Sequence, residues 1–225
     1  MTAFHEGLFR RPEPAPPPRV LESAVVQRTT FLVPPIDEKA PVAPVPAHIV
    51  AAVHAARWPG ILLPKLSIGG NLVYPVIAPN LPAWHQRVAA RQRPELDPST
   101  IVLWESWTED LGPMPPATAL SIVGFVSDAR AHLARRAVNA LRGLGAGMVV
   151  HTGVRGPTQD SRWECDYQGL FLAWAPAKPP AALCVPGRLG PVATARRIAL
   201  TRVYEEKLFS WALHSRYGPA SPTNR

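Results

Sequence analysis

Hydrophobic positions recur along this chain in three rhythms, and each rhythm predicts an element. "AVVQRTTFLV" (24–33) is β-branched and predicts a strand. "PAHIVAAVHAAR" (46–57) places Ile49, Val50 and Val53 on one helical face with Pro46 near its start. "ILLPKLSIGGNLVYPVIA" (61–78) reads as two strands joined at Gly69-Gly70, with Pro64 and Pro75 favouring edge or bulged positions. "PAWHQRVAARQR" (82–93) predicts a second helix and "STIVLWESW" (99–107) a further strand. The order is β-α-β-β-α-β.

The second half begins again. "ALSIVGFVS" (119–127) predicts a strand, and Asp128 is placed to cap a helix over 129–142. "GMVVHTGV" (147–154) and "RWECDYQGLFLAW" (162–174) read as a hairpin. In the latter, Arg162, Glu164, Asp166 and Gln168 alternate with Trp163, Cys165, Tyr167 and Gly169. "ARRIALTRVYEEKLFSWALHSRYG" (195–218) is largely helical, with apolar residues all around its axis. The predicted fold class is α+β: two tandem ferredoxin-like (β-α-β-β-α-β) modules, 24–111 and 112–225, preceded by a Pro-rich arm at 1–23.

Composition sharpens this picture. There are 28 prolines in 225 residues, gathered mainly in clusters that mark linkers and loops. The segment "PAPPP" favours an extended arm, suited to lying along a neighbouring subunit. No run approaches the length of a membrane span, and the N-terminus lacks the apolar core of a secretory signal. A cytoplasmic protein, or a particle assembled in the cytoplasm, is the expectation. The 2 cysteines, Cys165 and Cys184, have neither disulfide-framework nor metal-ligand spacing, so no metal site and no cofactor are expected.

Charge is unevenly placed. Residues 1–111 carry 10 basic and 10 acidic side chains; residues 112–225 carry 14 and 6, so the whole excess of +8 lies in the second half. Arginine supplies 20 of the 24 basic residues, and its planar fork suits phosphate. On the helix "RAHLARRAVNALR", Leu133, Ala137, Leu141 and Leu144 form a stripe. His132, Arg135, Arg136, Asn139 and Arg142 lie opposite, with no acidic residue among them. A face of one sign repels itself unless an anion neutralises it. Arg155, Arg162, Arg196, Arg197 and Arg202 extend the candidate nucleic-acid-binding set, and Trp163, Tyr167 and Trp174 offer stacking faces if exposed.

The element order over residues 24–217, with the glycines of "GLGAGMVVHTGVRG", resembles the RAMP superfamily of CRISPR RNA-binding proteins (Cas5/Cas6 type). The resemblance implies an RNA-binding subunit of a larger ribonucleoprotein assembly, with RNA favoured over DNA and protein subunits contacted through the arm. It also implies metal-independent RNA cleavage by a first-helix histidine, for which His48 and His54 are the matching positions, His54 preferred for its closeness to Arg57. The alternative is a structural protein of a virus or phage particle. His151 and Cys165, on neighbouring predicted strands, form one further conceivable nucleophile pair.

Overall fold

A computed structural model describes residues 43–177, 180–191, 199–215 and 217–219. The arm at 1–23, the strand expected at 24–33, and Arg196 and Arg197 lie outside the described residues. Within them the fold is mixed α+β, with a seven-stranded sheet and six α-helices.

The first helix, α1 (Ala47–Ala55), starts after Pro46 and buries Ile49, Ala52 and Val53. Three strands follow: β1 (Ile61–Leu62), β2 (Leu66–Ile68) and β3 (Asn71–Pro79). β2 and β3 form the expected hairpin around Gly69 and Gly70, both at positive φ. The helix expected at 82–93 is α2 (Leu81–Ala89), capped by Asn80.

The stretch expected as a strand at 99–107 is instead a helix, α3 (Pro98–Glu105). Asp97 accepts hydrogen bonds from the amides of Ser99 and Thr100, and Pro98 sits in the first turn. That Asp-Pro start outweighs the β-branched run behind it. A short 3₁₀ turn at Glu109–Leu111 ends the first half.

β4 (Leu120–Ser127), α4 (Ala131–Ala140) and β5 (Ala146–His151) follow the predicted order. The predicted hairpin partner at 162–174 does not. Its first part is a helix, α5 (Gln159–Tyr167), and only β6 (Phe171–Trp174) is a strand. Thr158 caps α5 by accepting from the Ser161 amide, and Gly169 follows it at φ +62°. β4, β5 and β6 are therefore parallel, as strands joined through crossover helices must be. β7 (Ala182–Val185) pairs antiparallel with β6, and α6 (Ala199–His214) closes the described fold.

The sheet runs β1-β3-β4-β5-β6-β7, with β3 antiparallel to β4 and β2 paired to β3 off this path. Its central strands carry near-continuous apolar runs because both faces are covered. One face packs α1 and Trp58 against Val76, Val126, Met148 and Phe171. Tyr204, Leu208 and Phe209 of α6 and Trp84 of α2 pack with Ile77 and Phe125 in a second cluster. Ala134 and Val138 of α4 meet Val149, Cys165 and Leu172 in a third. So α4 buries Ala134, Val138 and then Leu141, while Leu133 is exposed, a shift from the expected stripe. Helix α6 is buried almost all round, which accounts for its ambiguous pattern. Among the described residues no helix is long and apolar enough to cross a membrane.

Candidate functional site

In a parallel α/β unit the carboxyl ends of the strands open outward between the crossover helices, and ligands bind there. Here a crevice of about 310 Å³ occupies that place, at the ends of β4 and β5. Asp128, Arg130 and Arg135 come to it from the β4–α4 turn and α4. His151, Thr152 and Gly153 come from the end of β5, and Ser161 and Cys165 from α5.

The loop after β5 is pinned by its neighbours. His151 Nε2 lies 2.9 Å from the Arg155 carbonyl oxygen, and the Trp174 indole donates to the Gly153 carbonyl at 2.8 Å. A Cβ at Gly153 would stand 2.7 Å from His151 Nε2, so a larger residue there would displace the imidazole from the Arg155 carbonyl. The first turn of α4 borders the crevice with Arg130 at its cap and no side-chain cap bond, leaving its first N–H groups without a side-chain acceptor.

Asp128 does not cap α4. Its carboxylate accepts from Lys65 Nζ at 2.8 Å and from the Tyr74 hydroxyl at 3.3 Å, and His48 Nε2 lies 3.4 Å away. The Lys65 ammonium also sits 4.9 Å from the Tyr74 ring centre. Four elements or loops thus meet at one carboxylate. Burial pushes Asp128 upward, but the hydrogen bond and charge of Lys65, with His48, outweigh it and hold the carboxyl below its ordinary value. Burial pulls Lys65 down and Asp128 more than compensates, so the ammonium is held above its ordinary range. Burial and the nearby carboxylate both raise Tyr74, against the opposing pull of Lys65.

A pH dependence follows. A carboxyl that titrates below its ordinary value when folded adds stability above about pH 4, lost as pH falls through the folded value. The melting-temperature gap between wild type and Asp128→Asn is expected to be widest near neutrality and to close towards about pH 2. It stays modest, because Lys65 is 38% exposed and well screened. A gap unchanged across that range would show that the Asp128 charge adds nothing to folding.

The other expected site residues divide. Arg135 borders the crevice and pairs with Glu164 at 2.7 Å. Asn139 donates to the Gln168 side chain at 2.6 Å, and Arg142 donates to the Gln168 carbonyl. Part of the one-signed face of α4, Arg135, Asn139 and Arg142, is therefore met by Glu164 of α5 and by Gln168 just after it. Arg136, Arg155 and Arg162 are exposed. Arg202 is buried and bonded to Glu206, away from any surface a polyanion can reach.

His48 belongs to the Asp128 cluster. His54 lies elsewhere, exposed, lining a separate cavity of about 460 Å³ with Arg57 and Trp58. His151 and Cys165 both border the crevice, but burial pushes the Cys165 thiol up to about 11, against the partial opposition of Arg135. A thiol so held is not a nucleophile at neutral pH. Lys65, Tyr74 and Arg130 were missed. Their signal is long-range: Lys65 and Tyr74 reach Asp128 across 63 and 54 residues of sequence.

No protein-family model, curated protein or solved structure matches the chain.

Proposed function

We propose that this protein is nucleic-acid-associated, with RNA favoured over DNA, and that a phosphodiester of the bound strand enters the crevice at the ends of β4 and β5. One observation carries the reading. Lys65 and Arg130, the imidazoles of His48 and His151 and the uncapped first turn of α4 gather around that crevice and the Asp128 carboxylate, while Arg135 on its wall is already paired with Glu164. Arginine forks and helix N-termini are the donors that hold phosphate. Asp128, Tyr74 and His48 supply acceptors and donors for a ribose 2′-hydroxyl, the group by which a protein distinguishes RNA from DNA.

The wider likeness belongs to the same proposal: two ferredoxin-like modules in a subunit of a larger ribonucleoprotein assembly. His48, Lys65 and Tyr74 come from the first half and Asp128, Arg130, Arg135 and His151 from the second, so the site draws on both. A specific observation also favours a second reading, metal-independent RNA cleavage. The His48 imidazole beside a fixed carboxylate, with an ammonium alongside, has the parts of a general base and a phosphate cation.

The test is binding of labelled single-stranded RNA and DNA of one sequence across a salt series. Wild type is expected to prefer RNA and to show a steep salt slope. Arg130→Glu removes an exposed side chain and should weaken binding uniformly across sequences, lowering the slope by about one. Absence of RNA binding, or binding indifferent to salt and to Arg130→Glu, would overturn the proposal.

A further inference from the structure

We infer that the outer side of α5 is a docking surface for an arginine-bearing segment of a partner protein. Inward, α5 buries Cys165 completely and brings Ser161 to the crevice. Outward it carries Trp163 and Tyr167, four residues and so about one turn apart, 69% and 92% exposed. Neither ring makes an aromatic or cation–π contact among the described residues. Two bare aromatic faces on one helical stripe are the kind of surface that binds.

Charge selects the occupant. The helix "QDSRWECDY" carries three carboxylates against one arginine. Glu164 is occupied by Arg135. Asp160 and Asp166 have no ion-pair partner among the described residues. At 3.6 residues per turn they flank the aromatic stripe at about 40° on one side and 80° on the other. Arg162 does not cover Trp163, since its guanidinium lies near Gly156 in the loop after β5. Arg142 and Arg188 gather at Gly169, past the end of the helix.

A phosphate chain laid over these rings would meet two free carboxylates. A guanidinium gains from both features, stacking on the ring face while its fork takes a carboxylate. Arginine fits better than lysine, which offers neither the plane nor the fork. This surface is therefore separate in chemistry from the crevice, and it does not depend on the nucleic-acid reading.

The probe is a fluorescein-labelled peptide with arginines spaced by prolines, beside lysine and glutamate versions, titrated with the full chain by anisotropy. The arginine peptide is expected to bind, the lysine peptide several-fold more weakly and the glutamate peptide not at all. Trp163→Ala with Tyr167→Ala, and separately Asp160→Asn with Asp166→Asn, should each lower affinity about tenfold or more, corresponding to a factor of ten per 1.4 kcal/mol. All four side chains are exposed, so thermal melting should be unchanged in both variants. RNA binding measured alongside should also be unchanged. Failure of the arginine peptide to bind wild type, or wild-type affinity retained by either variant, would overturn the inference. So would a fall in RNA binding on removing the rings together with a rise on neutralising the aspartates, because the stripe would then be a base-stacking face.

Discussion

Glu206→Ala is expected to cost about 3–5 kcal/mol of folding stability. Glu206 is 1% exposed on α6, between Arg87 of α2 and Arg202 one turn away. Its carboxylate accepts from the two terminal nitrogens of Arg87 at 2.7 and 2.8 Å, from Arg202 Nε at 2.9 Å and from the Glu95 amide at 3.2 Å. Arg202 also donates to the Pro116 carbonyl at 2.6 Å, and each guanidinium lies over an aromatic ring, Phe209 or Trp104. The triad ties α2, α6 and two loops together. Alanine at 206 leaves two buried cations without the carboxylate they share, and that uncompensated charge is what costs stability. For a chain of this size about 3–5 kcal/mol is a fall of roughly 6–20 °C in melting temperature. Replacing all three residues by apolar ones of similar volume should lose much less, since no charge is stranded. Urea and thermal unfolding check both variants. A single variant melting within about 2 °C of wild type would show that the triad is not the clamp its geometry describes.

The same triad marks where sequence reading stops. Arg87 and Glu206 meet across 119 residues, and nothing local distinguishes them from the exposed arginines and glutamates nearby. Arg202 thus read as a phosphate ligand, although it is buried against Glu206. Local rules did locate α1, α2, α4, the β2–β3 hairpin and β4, because those elements have periodic burial or unambiguous turns. They failed at 162–174, where the alternation of Trp163, Cys165 and Tyr167 with charged residues imitates a strand. The Thr158 cap and Gly169 were the better signals, bracketing one helix in which Cys165 is buried and both rings are out. That one substitution of strand for helix had a second consequence. Arg135, Asn139 and Arg142 looked like a face awaiting an external anion only while α5, which answers them, was out of view. Of the candidate site, His48 was legible and Asp128 was seen in a different capacity. Their meeting with Lys65 and Tyr74 is a product of topology.

Under the cleavage reading proposed above, His48→Ala carries the other large expectation, a loss of roughly 10²–10⁴-fold in RNA cleavage rate with a far smaller loss of binding. The argument is geometric. A general base must lie within reach of the proton it takes and be held in one orientation. His48 Nε2 lies 3.4 Å from Asp128 Oδ2, and that carboxylate is in turn fixed by Lys65 and Tyr74. Lys65 Nζ donates to the other oxygen of the same carboxylate, Asp128 Oδ1, at 2.8 Å, and is the cation that the cleavage reading assigns to the phosphate. His54, exposed in another cavity and without this support, predicts no more than a small effect when changed to alanine. Lys65→Ala should slow cleavage and weaken binding together, because it removes both the phosphate cation and the anchor of Asp128. Single-turnover cleavage of an unstructured RNA in EDTA, with wild type and the three variants side by side, decides the matter. Loss with His48→Ala alone among the histidines supports catalysis at the Asp128 cluster. Equal loss from His54→Ala would move the chemistry to the other cavity. Tight binding by wild type with no cleavage at any enzyme concentration would remove catalysis and leave the crevice as a binding site.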